Sequence, residues 1–130
     1  MTTIRTIVEQ MPVTLLGGKC DLDREVTAGY AGDLLSDVLV HAQPGSVWVT
    51  MQTHMNIVAV AAAKNLAGII IVQGRQPEAG VVHKAEEEQI VLMVSDLPAF
   101  ETVSDLSTIL CSHTVAEGTS ERCAPVYGHS

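Results

Sequence analysis

The sequence predicts an α/β protein: a three-layer α/β/α sandwich around a parallel or mostly parallel sheet of about five strands. Three observations carry this. Val47 to Met51, Gly68 to Val72 and Ile90 to Val94 are short, solidly apolar runs, whereas a strand with one wet face alternates. Each is followed by a longer segment of helical period, and strand–helix–strand repetition with right-handed crossovers builds parallel sheets. Aromatic residues make up only 3% of the chain, so branched aliphatics and alanine must fill the core.

The elements follow in order. Ile4, Ile7, Val8 and Met11 recur at helical spacing behind Thr3, a suitable N-cap, and Pro12 ends that helix. Val13 to Leu16 form a short strand closed by Gly17-Gly18. The polar stretch KCDLDRE leads to a second strand, Val26 to Tyr30. Asp33 then caps a helix carrying Leu34, Leu35, Val38, Leu39 and Ala42 on one side, and Pro44-Gly45 stops it. After the strand at 47–51 comes an almost wholly apolar helix, His54 to Asn65, packed on the sheet or between the sheet and a second subunit. The strand at 68–72 precedes a helix over Glu78 to Gln89 with Val82, Ala85 and Gln89 inward and Glu86-Glu87-Glu88 solvated. The strand at 90–94 precedes a helix opening at Pro98, with Phe100, Val103, Ser107 and Leu110 along one side. The domain is expected over 1–110. Residues 111–130 lack a period and are rich in Ser, Thr, Gly and Glu, so they are expected to form a polar tail.

Composition narrows the function classes. Seven basic against fifteen acidic residues give a net charge of -8, which argues against a nucleic-acid partner. No apolar run approaches the ~20 residues that cross a bilayer, and the first residues lack a signal-peptide core. Three widely spaced cysteines, Cys20, Cys111 and Cys123, form no disulfide framework, with Cys20 expected as a structural thiol. A cytoplasmic protein is expected.

Catalytic signatures are sparse. Gly17-Gly18-Lys19-Cys20 lacks the first glycine of a phosphate loop and has Cys20 where the magnesium-binding hydroxyl belongs. No G-x-G-x-x-G or G-x-S-x-G occurs. His41, His54 and His83 form no ligand pair within one helix, and Cys111, His113, Cys123 and His129 do not follow zinc-ligand spacing. No catalytic residue, metal or cofactor is expected.

Topology supplies the site argument. In open parallel sheets, ligands bind outside the carboxyl ends of the strands, where helix N-termini point. Those positions are Asp33 after the second strand, Gln52, Thr53, His54 and Asn56 after the third, Gln73-Gly74-Arg75 after the fourth, and Ser95 and Asp96 after the fifth. Free amides at the Thr53 helix start, together with Arg75, would suit a carboxylate or phosphate.

Taken whole, LDREVTAGYAGDLLSDVLVHAQPGSVWVTMQTHMNIVAVAAAKNLAGIIIVQGRQP followed by KAEEEQIVLMVSDLPAFETVSDL resembles a DRTGG domain over roughly residues 3–110. Asp23, Arg24, Thr27 and Gly29 stand at positions like those that name the family. Ala28 stands where small relatives often have glycine, and Gln73-Gly74 where a glycine pair is frequent. The resemblance extends to the N-terminal domain of HPr kinase/phosphorylase and, more distantly, to the first domain of the MurF ligase. It implies a compact α/β/α module of regulatory or dimer-forming kind, without catalytic residues.

Sequence and resemblance together suggest a non-catalytic, homodimeric module that binds a small anionic metabolite, a nucleotide or a partner enzyme and regulates that enzyme. Two alternatives stand beside it: a small phosphotransferase-type enzyme using Asp33, His54 or Asp96, and a metal or redox accessory protein working through the Cys/His tail.

Overall fold

The computed structural model describes residues 1–116. Its elements are α1 (Ile4–Gln10), β1 (Thr14–Gly17), a 3-10 turn (Lys19–Asp21), β2 (Ala28–Ala31), α2 (Leu35–His41), β3 (Ser46–Thr50), α3 (Asn56–Lys64), β4 (Gly68–Ile71), α4 (Val81–Glu88), β5 (Val91–Val94) and α5 (Ala99–Ala116). The five strands form one sheet in the order β1-β5-β4-β3-β2. Strands β2 to β5 are mutually parallel, and β1 joins the far side of β5 antiparallel. The chain is thus α/β with a mostly parallel sheet. The run at 13–16 has no helix linking it to a paired strand, so nothing in its composition dictated a direction; it enters beside the end of β5, Thr14 opposite Val94, and runs back.

The parallel strands follow one another across the sheet, so right-handed crossovers keep α2, α3 and α4 on one face. Trp48, Ile69, Ile71, Leu92 and Val94 point to that face and pack with Val38, Ile57, Val58, Ala61, Val81 and Ala85. Val47, Val49, Ile70, Val91 and Met93 point to the other face, which α1 and α5 cover with Ile4, Ile7, Leu106 and Ile109. Every residue of β3, β4 and β5 is buried, which is why those runs are apolar without alternation. Burying each such aliphatic side chain contributes roughly 1.5–3 kcal/mol.

Several expectations shift. The second strand starts at Ala28, after Thr27 has turned to donate its amide to Gly45 O (3.0 Å). Helix α4 begins at Val81 and buries Val81 and Ala85, while Gln89 is its exposed left-handed C-cap. On α2 only Val38 and Ala42 of the expected apolar face are fully buried; Leu34 and Leu39 are exposed. Helix α5 continues past residue 110 to Ala116, so the helical part of the chain outlasts the expected domain end. Phe100 does not face the core: it is 82% exposed. The inner stripe of α5 is Thr102, Leu106 and Ile109, and Phe100 is out of phase with it. Cys111 is disulfide-bonded, contrary to the expectation drawn from cysteine spacing, which sees separation in sequence but not in space. The side chain of Cys20, and Cys123 and His129, lie outside the described residues.

The connection from β1 to β2 must cross from one sheet edge to the other, and it does so along the amino ends of the parallel strands. Gly18 packs on Ile90 before β5, Arg24 Nη2 donates to Asn65 O (2.8 Å) before β4, and Thr27 Oγ1 donates to Pro44 O (3.2 Å) before β3. The first residues lie on this strap: Val26 N donates to Thr2 O (2.8 Å) and Ile4 N to Arg24 O (3.0 Å). Thr3 and Thr6 form a reciprocal capping box that starts α1 beside it. Among the described residues no helix is long and apolar enough to cross a membrane.

Candidate functional site

The carboxyl rim has two halves. At the β2–β3 half, Asp33 does not cap α2, whose N-cap is Leu34 without a side-chain bond. Its Oδ1 instead accepts from Thr50 Oγ1 (2.8 Å) and Met51 N (2.7 Å), tying the loop after β2 to the end of β3. Gln52 reinforces the tie, its Nε2 donating to Asp33 O (2.8 Å) and its amide to Thr50 Oγ1 (3.1 Å). Beneath them the buried Trp48 indole donates to Gly32 O (2.8 Å).

The loop after β3 is likewise occupied. Thr53 is no helix cap: α3 starts at Asn56 behind Met55, and Thr53 Oγ1 donates to Glu78 Oε2 (3.4 Å) while Glu78 N donates to Thr53 O (3.0 Å). His54 Nδ1 accepts the Asn56 amide (3.1 Å), and the Ile57 and Val58 amides donate to His54 O and Met55 O. The free amides expected at the Thr53 helix start are therefore already bonded within their own loop, and that end of α3 offers no ready anion cradle.

The β4–β5 half differs, because here adjacent connections diverge. After β4 the chain turns to α4 on one face; after β5 it turns to α5 on the other. Such a switch point is where an open α/β sheet forms a crevice. Its floor is two backbone bonds, Gln73 N to Leu97 O (2.8 Å) and Gly74 N to Ser95 O (2.9 Å). Gln73 and Gly74 both have positive φ, 64° and 67°, and Arg75 N closes the turn onto Val72 O (3.3 Å). A left-handed glutamine is uncommon and costs energy that the surroundings must hold. Ser95 is buried and spends its hydroxyl on the Leu97 amide (3.1 Å).

Arg75 and Asp96 are exposed and make no hydrogen bond or ion pair among the described residues. Asp96 Oδ1 sits 3.4 Å from the place a Cβ on Gly74 would take, so its carboxylate lies on the same turn as Arg75. Of the eight residues expected at the site, Arg75 and Asp96 converge on one crevice with Ser95 beneath; Asp33, Gln52, Thr53, His54 and Asn56 serve as loop fasteners. Phe100, which stands exposed in the first turn of α5 three residues after Leu97, was not among the expected site residues, and the phase of the buried α5 stripe would have placed it outside.

The arrangement suits binding. Asp33, His54 and Asp96 follow three different strands, and the first two spend acceptor atoms on backbone amides. Among the described residues no three His, Cys, Asp or Glu side chains gather to hold a metal, and no buried side-chain polar atom lacks a partner. Polar groups left for a ligand are therefore the exposed ones.

No family model matches the chain, and no curated protein matches it. Among solved structures it is similar to the CBS and DRTGG domains of the regulatory region of Clostridium perfringens pyrophosphatase, complexed with the activator diadenosine tetraphosphate. The match has 9% identity and a TM-score of 0.55, over 75% of this chain and 43% of that chain. The present chain thus corresponds to less than half of that structure. At this identity the likeness shows a shared α/β fold.

Proposed function

We propose that this chain is a non-catalytic regulatory module that takes a small anionic ligand into the β4–β5 crevice and, as a homodimer, modulates a partner enzyme. One observation carries the ligand: the diverging loops leave the Arg75 guanidinium unbonded at a switch point, where its planar fork is free for phosphate or carboxylate. The similar pyrophosphatase region belongs to a regulatory assembly with a nucleotide activator, which supports the same kind of role. The exposed Leu34, Leu39 and Val40 of α2, beside the edge strand β2, support the dimer.

The test is a thermal-shift and calorimetric screen of the full chain against pyrophosphate, AMP, ADP, ATP and phosphorylated sugars. A ligand at a hundred times its dissociation constant adds about 2.7 kcal/mol of stability, roughly a 10 °C rise in midpoint for a domain of this size. Arg75→Ala should abolish the shift while keeping the unliganded midpoint. No shift with any anion would remove the ligand from the proposal. Sedimentation of the chain and of Val40→Glu reads the dimer, which the variant should split.

A further inference from the structure

We infer that the crevice ligand is a ribonucleotide, with its base on Phe100, its ribose hydroxyls on Asp96 and its phosphates on Arg75. This rests on the crevice being the ligand site and adds the chemical class. The chain has a single phenylalanine, and it stands 82% exposed in the first turn of α5 instead of in either core. An exposed ring forgoes the stabilisation that burial would give, yet forms a stacking platform for any base. The Gln73–Leu97 backbone bond limits how far it can stand from the cation. Arg75 lies two residues beyond one partner of that bond, at most about 7 Å of chain, and Phe100 three residues beyond the other, at most about 11 Å.

Asp96 decides between ligand classes. Its carboxylate stands on the Gly74–Arg75 turn, where the missing Cβ leaves room for close approach. A carboxylated aromatic ligand would set its charge against Asp96. A ribose between base and phosphate presents hydroxyl donors there instead, and an acidic side chain on ribose hydroxyls is a familiar device at sheet switch points. Asp96 also disfavours pure polyanions and so favours a ligand that begins with an uncharged ring and sugar.

The experiment compares ADP with pyrophosphate on the full chain by calorimetry, with Phe100→Ala and Arg75→Ala beside the native protein. ADP should bind about tenfold more tightly than pyrophosphate. Phe100→Ala should remove that tenfold and leave pyrophosphate binding unchanged, and Arg75→Ala should weaken both. Both side chains are exposed, so Trp48 fluorescence should report unaltered unfolding midpoints for the two variants. Equal affinity for ADP and pyrophosphate, or native ADP affinity in Phe100→Ala, overturns the ribonucleotide while the anion crevice stands. Binding of both ligands undisturbed by Arg75→Ala, or binding of neither, overturns the crevice and the ribonucleotide with it.

Discussion

The two ends of the sheet are built in opposite ways. At the amino end, residues 18–27 run across the strands and fasten to the segments before β5, β4 and β3 in turn, through Gly18, Arg24 and Thr27. At the carboxyl end nothing among the described residues spans the strands; neighbouring loops bind each other, and beyond the two backbone bonds that join the loops after β4 and β5 the chain leaves for opposite faces. The residues that make the chain resemble a DRTGG domain, Asp23, Arg24, Thr27 and Gly29, belong to the closed end. Arg24 and Thr27 hold helix and turn carbonyls, and Gly29 admits Leu106 of α5, which a Cβ would meet at 2.9 Å. Arg24, Thr27 and Gly29 thus serve assembly of the sheet, and the ligand proposed above is placed at the other end.

Two left-handed glycines put this contrast to its hardest test. A Cβ on Gly18 would lie 2.3 Å from Ile90 O, a backbone atom held at the start of β5. Gly18→Ala should therefore cost more than about 3 kcal/mol, from clash added to a φ of 71°. Gly74 has nearly the same φ, 67°, but its Cβ would meet only Asp96 Oδ1 at an ordinary 3.4 Å. Gly74→Ala should cost about 1–2 kcal/mol. Urea unfolding followed through buried Trp48 measures both, and equal losses would break the distinction between a strapped and an open end.

Polar fasteners give smaller steps in the same series. Asp33→Ala removes the acceptor of two bonds at the stitched half of the carboxyl rim and should cost about 1–2 kcal/mol. Arg24→Ala removes the bond to the α3 C-cap carbonyl and should cost about 1 kcal/mol. Arg75→Ala, at the open half, should stay within about 0.5 kcal/mol of the native protein. A larger loss there would mean that Arg75 holds the structure together, and its availability to a ligand would fail as an argument.

How far these features were legible in the sequence depended on what fixes them. Strands β3, β4 and β5 were legible because burial on both faces leaves no alternative to continuous apolar runs. The strand ends were legible as a set, since each is followed by polar residues. Which two ends form the crevice was not, because that depends on α4 and α5 lying on opposite faces, and an apolar stripe says that a helix packs on a sheet without saying on which face. Asp33 looked like a cap because Asp before an apolar helix usually is one; Thr50 and Met51 compete for the same carboxylate, and proximity to β3 decides. The side of α5 shared by Phe100, Val103 and Leu110 was legible, but not that Phe100 stays exposed while Val103 and Leu110 pack on the core.

Tyr30 carries the smallest effect and lies midway between the two ends, on edge strand β2. Partial burial and the hydrogen bond it donates to Asp37 push its phenol up to about 12 from the usual 10. The folded state therefore favours the neutral form. Its contribution to stability is complete below pH 10 and is lost as pH rises from 10 towards 12. Solvent at this half-exposed position screens the interaction and keeps the effect small. Unfolding free energies at pH 9 and pH 11 should fall further for the native chain than for Tyr30→Phe, since Tyr127 titrates in both. Parallel slopes would show that Asp37 leaves the phenol of Tyr30 unconstrained, and that the β2 edge of the sheet is held by the Asp33 ties and apolar packing without it.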